Sequence, residues 1–378
     1  MQKRDIFYIA GYDPRGFRYY YLMFKKNLAF YEKMAQKKFI LSKNKQESKF
    51  HTSWSIQGEN SQNYYHFLAW NDIVKANWHK NIFSILADAF DFFKIYVITG
   101  LFVRFAKACK APLVAGFYPF FYVLFSYLFI FALIFLSFKP ITNLSHEIVA
   151  VIFSLLVLYF SSKLIFKIGN KTAAFWLSRI CAFCSRWARG EIKDIDARTA
   201  EFAKIVFKTL KANAQKENYE LILCAHSVGT ILIINVLADL IKQSLDENIP
   251  FDKLKVLTLG ECVPLMSYHK HENLYKQNLA FLAQFKLIWF DFTSKIDGAC
   301  FYKVDFFKTS GVEDMQIAPS FLSTHFYKLY SKEEYAKIRR DWYRAHFLYL
   351  EASQHKGEYD FFAFVLDENL LENKIKAR

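Results

Sequence analysis

The sequence lacks the motifs with which basic proteins bind nucleic acid. It carries 50 Lys and Arg against 35 Asp and Glu, a formal net charge of +15. No arginine-rich tract and no zinc-finger spacing accompany this excess. An anionic membrane surface is the other common partner of a basic chain. Because 53% of the residues are hydrophobic and 42 are Phe, we expect membrane lipids as partners and no nucleic acid.

Cysteine occurs without the spacing of a metal site or of a disulfide framework. The six cysteines are scattered, and only Cys181 and Cys184 form a C-x-x-C pair. No second pair and no nearby set of histidines completes a zinc site. A separation of three places both thiols on one helix face, which favours packing. We therefore expect no metal, no cofactor and a reducing compartment.

Charged residues are missing from a long stretch in the middle of the chain. Residues 111–138 carry no charge, and residues 148–168 carry only Lys163 and Lys167. Each run is long enough to cross hydrocarbon, which takes ~20 residues, and the two late lysines can reach the interface. The pattern predicts two transmembrane helices at about 117–138 and 147–168. The alternative is a buried helical pair in a soluble core.

The flanking charges predict the orientation of this hairpin. The connection between the two runs has Lys139 as its only Lys or Arg, whereas such residues are frequent on both outer flanks. They are Lys80, Lys94, Arg104, Lys107 and Lys110 before the first run, and Lys171, Arg179, Arg186 and Arg189 after the second run. By the positive-inside rule both flanks are cytoplasmic. We expect an integral protein of a bacterial inner membrane, with residues 1–80 and 191–378 forming one cytoplasmic domain around a membrane insertion at 81–190.

Outside the insertion, apolar strands alternate with helical segments. Strand patterns fall at 6–10, 51–57, 64–70, 221–224, 255–260 and 286–292. Strands of this kind that alternate with helices form parallel sheets covered on both faces. The predicted fold class is therefore α/β, a mostly parallel sheet with helices on both faces, interrupted by the transmembrane hairpin.

The most informative segment surrounds Ser227. An apolar strand leads into Ala225-His226-Ser227-Val228-Gly229, and an apolar helix follows at once. This is the form of a nucleophile elbow, G-x-S-x-G, with Ala225 in place of the first glycine. The positions two before and two after the serine must be small, because strand and helix backbones pass close together there. The alternative is a buried turn in which Ser227 only caps the helix.

A nucleophilic serine needs a base and an acid to orient it, in the chain order Ser, Asp or Glu, His. Asp297 lies just beyond the second predicted strand after the elbow, and Asp291 is the runner-up within that strand. His346 lies in an ordered aromatic stretch and is the preferred base. His325 is the alternative, while His355 lies in a polar segment. No clear strand pattern precedes His346.

An oxyanion hole is expected at the same place. The N–H of Val228 follows the nucleophile, and the loop after the first strand offers a second donor at Tyr12, where Gly11 permits close approach. Turn formation alone would also account for Gly11. His226 is expected to point the wrong way across the turn to act as the base.

Together these motifs resemble the α/β-hydrolase superfamily. More narrowly, the chain is similar to bacterial membrane-anchored α/β-hydrolase-like proteins that begin F-Y-I-x-G-Y-D-P-R, here residues 7–15. Those proteins also carry W-x-D-I-V, an H-S-x-G elbow and H-F-x-Y-L, matched at 70–74, 226–229 and 346–350. The resemblance implies a catalytic Ser227 and supports Asp297 and His346.

The expected function is a membrane-anchored serine hydrolase. It would cleave an ester or thioester, lipid-derived substrates included, through a Ser227-His346-Asp297 triad and an acyl-enzyme. The alternative is a catalytically inactive hydrolase-fold scaffold or interaction protein. A channel or transporter is disfavoured, since the two spans offer no paired ionisable residues.

Overall fold

The computed structural model describes residues 1–78, 81–270 and 273–376. The chain divides into two compact units. The first comprises Met1–Asn77 together with Ser185–Arg378, and the second comprises Trp78–Cys184. The second unit is thus an insertion in the sequence of the first.

A sheet forms the centre of the first unit. Within the described residues it has nine strands: β1 Gln2–Ile9, β2 Ile40–Leu41, β3 Lys45–Ser48, β4 His51–Gln57, β5 Ser61–Leu68, β6 Tyr219–His226, β7 Leu254–Leu259, β8 Ile288–Thr293 and β9 Ser320–Ser323. Their order is β2-β4-β5-β1-β6-β7-β8-β9, with β3 beside β4. Six neighbouring strands of the sheet are parallel, namely β5, β1, β6, β7, β8 and β9. Strands β2, β3 and β5 pair with β4 in antiparallel orientation. The predicted mixed α/β architecture with a mostly parallel sheet is confirmed.

The strand order reverses between β1 and β6. From β1 the chain continues to β4 and β5 on one side, and after the insertion it returns to β6 and proceeds outward on the other side. Open α/β sheets bind ligands at such a switch point, in the crevice outside the carboxyl ends of the strands. The residues after β1 and after β6 therefore meet at the place where a site is expected.

Helices of the first unit follow the strands in the expected alternation: α1 Phe17–Ala35, α2 Asn71–Ala76, α8 Ile195–Asn213, α9 Gly229–Asp246, α10 Pro264–Ser267, α11 Asn273–Leu282, α12 Phe306–Thr309, α13 Lys332–Ile338, α14 Trp342–Phe347, α15 Phe361–Leu366 and α16 Leu371–Lys376. Short 3₁₀ segments lie at Phe326–Lys328 and Leu348–Leu350.

The central strands are buried on both faces. Ile222 and Cys224 of β6 join one hydrophobic cluster with Phe24 of α1. Leu221 and Leu223, which alternate with them, are also fully buried. Since successive side chains of a strand point to opposite faces, both faces of the sheet are covered. This is why these strands appear in the sequence as continuous apolar runs.

One local detail differs from the sequence expectations. A short strand, β9, does precede His346, and it pairs in parallel with β8. Its Ser-Phe-Leu-Ser sequence is too short and too polar to stand out.

The second unit contains α3 Ile82–Phe92, a π-helical segment Phe93–Ile98, α4 Leu101–Ala108, α5 Lys110–Leu144 and α6 Glu147–Lys171, and α7 Ala174–Ala188 spans its end. Helices α5 and α6 are long and apolar enough to cross a membrane, since the most apolar 18-residue window of each has a mean hydropathy of 2.4 and 2.3, respectively. Only 11% of the most apolar window of each is buried, unlike a helix pair in a soluble core. Both are longer than the predicted spans. They contact each other, for example through the Tyr122 hydroxyl, which donates to the Ile165 carbonyl at 2.8 Å.

Candidate active site

The turn between β6 and α9 places Ser227 in a strained backbone conformation. Strand β6 ends at His226 and α9 begins at Gly229. Ser227 between them has a φ of +57°, in the left-handed region that non-glycine residues rarely occupy. Its N–H donates to the Leu259 carbonyl at 2.9 Å, and the Thr230 hydroxyl donates to its carbonyl at 2.6 Å. The turn is thus held from both sides, as strained functional residues usually are.

The residues around the serine must be small because neighbouring backbone lies very close to them. A Cβ on Gly229 would lie 2.5 Å from the carbonyl oxygen of Ile9 and 2.7 Å from that of Ala10. Those oxygens belong to the main chain at the end of β1, so they cannot rotate away. Ala225 is fully buried, and its register partners are Ile9 on β1 and Thr258 on β7. The start of α9 can approach β1 only without a side chain at position 229.

The Ser227 hydroxyl is buried and, within the described part of the chain, has no hydrogen-bond partner. Burying a hydroxyl in this way costs about 1–3 kcal/mol, and such groups call for a functional explanation. Gly11, the second residue after β1, lies directly against it. A Cβ on Gly11 would lie 2.6 Å from Ser227 Cβ and 3.1 Å from its Oγ. Glycine at position 11 therefore leaves the space in front of the hydroxyl open.

Asp297 and His346 form a buried pair. Asp297 Oδ1 is 2.9 Å from His346 Nδ1 and also accepts from the Ala299 N–H at 3.0 Å, while Oδ2 accepts from the Tyr349 hydroxyl at 3.0 Å. Burial alone would raise the pKa of Asp297, but the charge of His346 and these hydrogen bonds outweigh it, so the pKa is lowered. Gly260 makes room for the pair, because a Cβ there would lie 3.1 Å from Asp297 Oδ2.

His226 connects this pair to the serine. Its Nε2 lies 2.8 Å from the backbone oxygen of His346, and the two rings lie 4.7 Å apart between centroids. Burial, followed by the charge of His346, lowers the pKa of His226 to about 3. The ring is therefore neutral at physiological pH, and its Nε2–H donates to the His346 carbonyl. Among the described residues, His226 makes no hydrogen bond to Asp297, whereas His346 does. The contact of His226 instead fixes the backbone of His346 beside the residue that precedes Ser227.

Tyr349 is a site residue that the sequence argument did not identify. It is buried, and burial is the main reason that its pKa is raised. The neutral phenol donates to Asp297. The signal was present in the spacing: Tyr349 stands three residues after His346 in the helical segment 342–350, which places the two on one face.

The expected oxyanion donors lie around the same turn. Val228 is the N-cap residue of α9, and the first N–H groups of a helix have no partner within the helix. Gly11 contacts Ser227, as described. The Tyr12 hydroxyl donates to the Asn77 carbonyl at 2.9 Å, so any donor that Tyr12 offers to the site is its backbone N–H.

The loop after Gly11 is fixed by a buried carboxylate. Asp13 accepts from the Arg15 N–H at 2.9 Å and from the Tyr20 hydroxyl at 2.9 Å, and it pairs with the Arg15 guanidinium at 2.7 Å. The guanidinium also lies 4.9 Å from the ring centroid of Phe347, the residue after His346. The Asp13-Pro-Arg15 sequence thus connects the loop after β1 to helix α14.

Asp291 lies away from this cluster. It accepts from the Thr258 hydroxyl at 2.7 Å, and the same hydroxyl accepts from Trp289 Nε1 at 2.9 Å. Burial raises the pKa of Asp291 to about 8. Because this carboxyl makes no described contact with His346, the structure favours Asp297 as the partner of the histidine.

The other residues weighed as base or acid are also elsewhere. His325 Nδ1 lies 2.8 Å from Glu358 at the surface. His355 is exposed. Within the described residues, none of these side chains contacts Ser227.

No group of three or more metal-ligating side chains occurs in the described ranges. His269 is buried, and its carbonyl accepts from Lys276, while His271 lies outside the described residues. Cys181 and Cys184 are both buried on α7.

Comparisons with protein-family models, with curated proteins and with solved structures find no match to this chain. The arguments for function therefore depend on the geometry of the site.

Proposed function

We propose that the protein is a serine hydrolase of the α/β-hydrolase type that cleaves an ester or a thioester. The observation that carries the proposal is the buried 2.9 Å contact between Asp297 and His346, held through His226 beside a serine in left-handed conformation. A strained serine between strand and helix, an acid and a histidine follow one another in the chain order of this class. A serine that only caps a helix would require neither the Asp297–His346 pair nor a left-handed backbone conformation.

The proposed reaction assigns one role to each of these groups. His346 Nε2 takes the proton of the Ser227 hydroxyl as Oγ attacks the substrate carbonyl carbon. The carbonyl oxygen becomes an oxyanion and is stabilised by the N–H of Val228 and by an N–H of the Gly11–Tyr12 loop. Asp297 holds the imidazole in place and stabilises its charged form.

Collapse of the tetrahedral intermediate breaks the bond to the leaving alcohol or thiol. The proton on His346 passes to that leaving group, and the acyl group stays on Ser227. His346 then removes a proton from water, which attacks the acyl-enzyme and releases the carboxylic acid. Each step uses groups of the first unit only.

We further propose that α5 and α6 anchor this domain in a bacterial inner membrane, with both flanks in the cytoplasm. The distribution of basic residues supports this orientation, and the length and hydropathy of the two helices support the anchor. Anchoring favours a substrate that itself resides at the membrane.

A non-catalytic scaffold is the second candidate function. The observation in its favour is the closure of the site: Ser227, Asp297 and His346 each expose 2% or less of their surface. A hydrolase requires a segment over the serine to move before substrate reaches it, whereas a scaffold does not.

The two functions are separated by covalent labelling. Protein in mild detergent is incubated with a fluorescent fluorophosphonate and, because the site is closed, also with a small sulfonyl fluoride. We expect labelling of the wild type and none of Ser227→Ala, with at least about 100-fold slower labelling of His346→Ala and Asp297→Asn. A folded wild type that reacts with neither reagent would establish the scaffold instead.

A further inference from the structure

A groove runs along α1 beside the segment that carries His346. Helix α1 forms one wall, and residues 344–354 form the other. Its volume is about 850 Å³, within the range of ~300–1,000 Å³ typical of small-molecule sites. None of the residues that bear the proposed chemistry lines it.

Apolar side chains on α1 are left exposed in this groove. Leu22 and Phe30 expose 63% and 57% of their surface, although the opposite face of α1 buries Tyr20, Phe24 and Leu28 in the core. Phe347 lines the other wall. The helix thus presents apolar side chains on two faces, and only one of them is used by the fold. An exposed apolar surface inside a cavity is characteristic of a binding site.

The groove is also basic. Lys26 and Lys33 of α1 and Arg344 of α14 line it, and Glu351 is the one carboxylate among its lining residues. On α1, Lys26 stands four residues after Leu22 and four before Phe30, so all three share a face of the helix. An occupant that complements this surface carries an alkyl chain and a negative charge.

The position of the groove relates it to the proposed chemistry. Phe347 follows His346 directly, and Arg344 precedes it by two residues on the same helix. Arg15, which Asp13 holds in the loop after β1, contacts both Phe347 and Tyr19, another lining residue, at 4.9 and 3.8 Å from their ring centroids. The groove therefore adjoins both the helix of the base and the loop of the oxyanion donors.

We propose that this groove binds a single-chain anionic amphiphile. The chain lies on Leu22, Phe30 and Phe347, and the anionic group is met by Lys26 and Lys33, since Arg344 already pairs with Glu334 at 2.6 Å. The role of the groove as the substrate site rests on the proposed function. In that role the groove defines the substrate class, an ester or thioester whose non-reacting part is a single-chain anionic lipid. The binding of the amphiphile itself does not depend on hydrolysis.

Photo-crosslinking tests the binding site. The full-length protein is placed in nanodiscs of zwitterionic lipid and irradiated with dodecyl phosphate that carries a diazirine on the chain, and the labelled peptides are identified by mass spectrometry. We expect crosslinks in residues 17–35 and 342–354. The variants Leu22→Ser/Phe30→Ser and Lys26→Glu/Lys33→Glu should each lower crosslinking about tenfold or more, as expected for the loss of two contacts.

Matched controls lie on other elements. Lys204→Glu/Lys208→Glu changes two exposed lysines of α8, and Leu274→Ser removes an exposed apolar side chain of α11. Both should crosslink like the wild type. The proposal is overturned if the control variants lose as much labelling as the groove variants, or if the crosslinks lie elsewhere. An uncharged dodecyl probe that labels the groove equally well overturns the anionic class.

Hydrolysis assays separate this inference from the proposed function. The groove variants should raise KM for a long-chain anionic thioester about tenfold, and KM for a short neutral ester by much less. Equal effects on both esters would contradict the role of the groove in substrate binding. If the groove crosslinks as expected while Ser227 reacts with no sulfonyl fluoride or fluorophosphonate, the binding site stands and the hydrolase is rejected.

Discussion

Ser227 occupies an unfavourable backbone conformation and keeps a buried hydroxyl without a described partner. Two glycines permit this arrangement, Gly11 in front of the hydroxyl and Gly229 behind it. A Cβ at position 11 would lie 2.6 Å from Ser227 Cβ, and a Cβ at position 229 would lie 2.5 Å from the carbonyl oxygen of Ile9. A strained residue supported in this way is typical of a site in which the strain serves function.

A substitution of His226 tests whether this residue positions the base His346. His226→Gln removes the imidazole that donates to the His346 carbonyl, so His346 should lose its fixed position. We expect fluorophosphonate labelling about 10- to 100-fold slower, with the apparent pKa of labelling, read from its pH profile between pH 5 and 9, shifted. The thermal midpoint serves as the control for folding. An unchanged rate in a folded variant would remove His226 from the site.

At the scale of elements, the site depends on how closely α9 approaches β1. The Gly229 position meets the carbonyl oxygens of Ile9 and Ala10, and the Thr230 hydroxyl also accepts from the Cys262 N–H at 2.9 Å. The first turn of α9 is therefore tied to the ends of β1 and β7. Three elements that are distant in sequence fix the orientation of one serine.

Gly229→Ala tests this close approach. A Cβ at 2.5 Å from main-chain oxygen cannot be accommodated without separating α9 from β1. We expect about 1–3 kcal/mol of destabilisation, seen as a thermal midpoint several degrees lower, together with loss of labelling.

Gly16→Ala is the control for this substitution. The nearest heavy atoms to its Cβ would be those of the Asn71 side-chain amide, from 3.3 Å, and that amide can rotate. Gly16 is the N-cap residue of α1, where Ala is less favourable than Gly, so the control variant should lower the midpoint less than Gly229→Ala does and should keep wild-type labelling. Equal behaviour of the two alanine variants would contradict the steric argument.

At the scale of the whole molecule, stability is coupled to buried titratable groups. The pKa of Asp291 is raised from 3.8 to about 8. Between these pH values the folded state holds a proton that the unfolded state has lost, so the stability contributed by this group falls as pH rises through the window. The depressed pKa of His226, about 3, acts in the opposite sense, because its contribution is lost as pH falls from 6.5 toward 3.

Asp291→Asn should remove the first of these effects. The amide resembles the protonated carboxyl and can still accept from Thr258. We expect wild type and variant to melt alike near pH 3 to 4, and the variant to melt higher at pH 8 to 9, by up to about 1.4 kcal/mol per pH unit crossed. Thermal melts across pH in one detergent measure this. Labelling should be unchanged, since Asp291 lies outside the site, and a variant that stops labelling would reinstate Asp291 as the acid.

The orientation of the hairpin is tested by cysteine accessibility. Ser145→Cys, between α5 and α6, is made in a Cys109→Ser background, because the other native cysteines are buried. An impermeant maleimide should label it in right-side-out membrane vesicles. Lys204→Cys on α8 should react only after permeabilisation. The reverse pattern would place the domain outside the cytoplasm.

Much of the fold follows from local sequence pattern. The apolar runs of β1, β6, β7 and β8 are visible because both of their faces are buried. Pattern fails where burial is partial: β9 is half-exposed along its whole length, so no apolar run marks it.

The elbow is recognisable because its chemistry is local, with strand, small residues and helix within a few positions of Ser227. The partners of the serine are different. Asp297 and His346 are 49 residues apart, and the sequence left Asp291 and His325 as alternatives. Only the packing of α14 against the end of β8 distinguishes them.

The sequence by itself determined the alternation of strands and helices, two uncharged runs long enough to span a membrane, and a turn in which only small residues can surround Ser227. These are properties of neighbouring residues, and periodicity and steric size report them directly. The tertiary structure decided which carboxylate meets His346, that His226 and Tyr349 hold this pair, that the serine is closed from solvent, and that a basic apolar groove lies beside it. Those features join residues from separate strands and helices, and only folding brings them into contact.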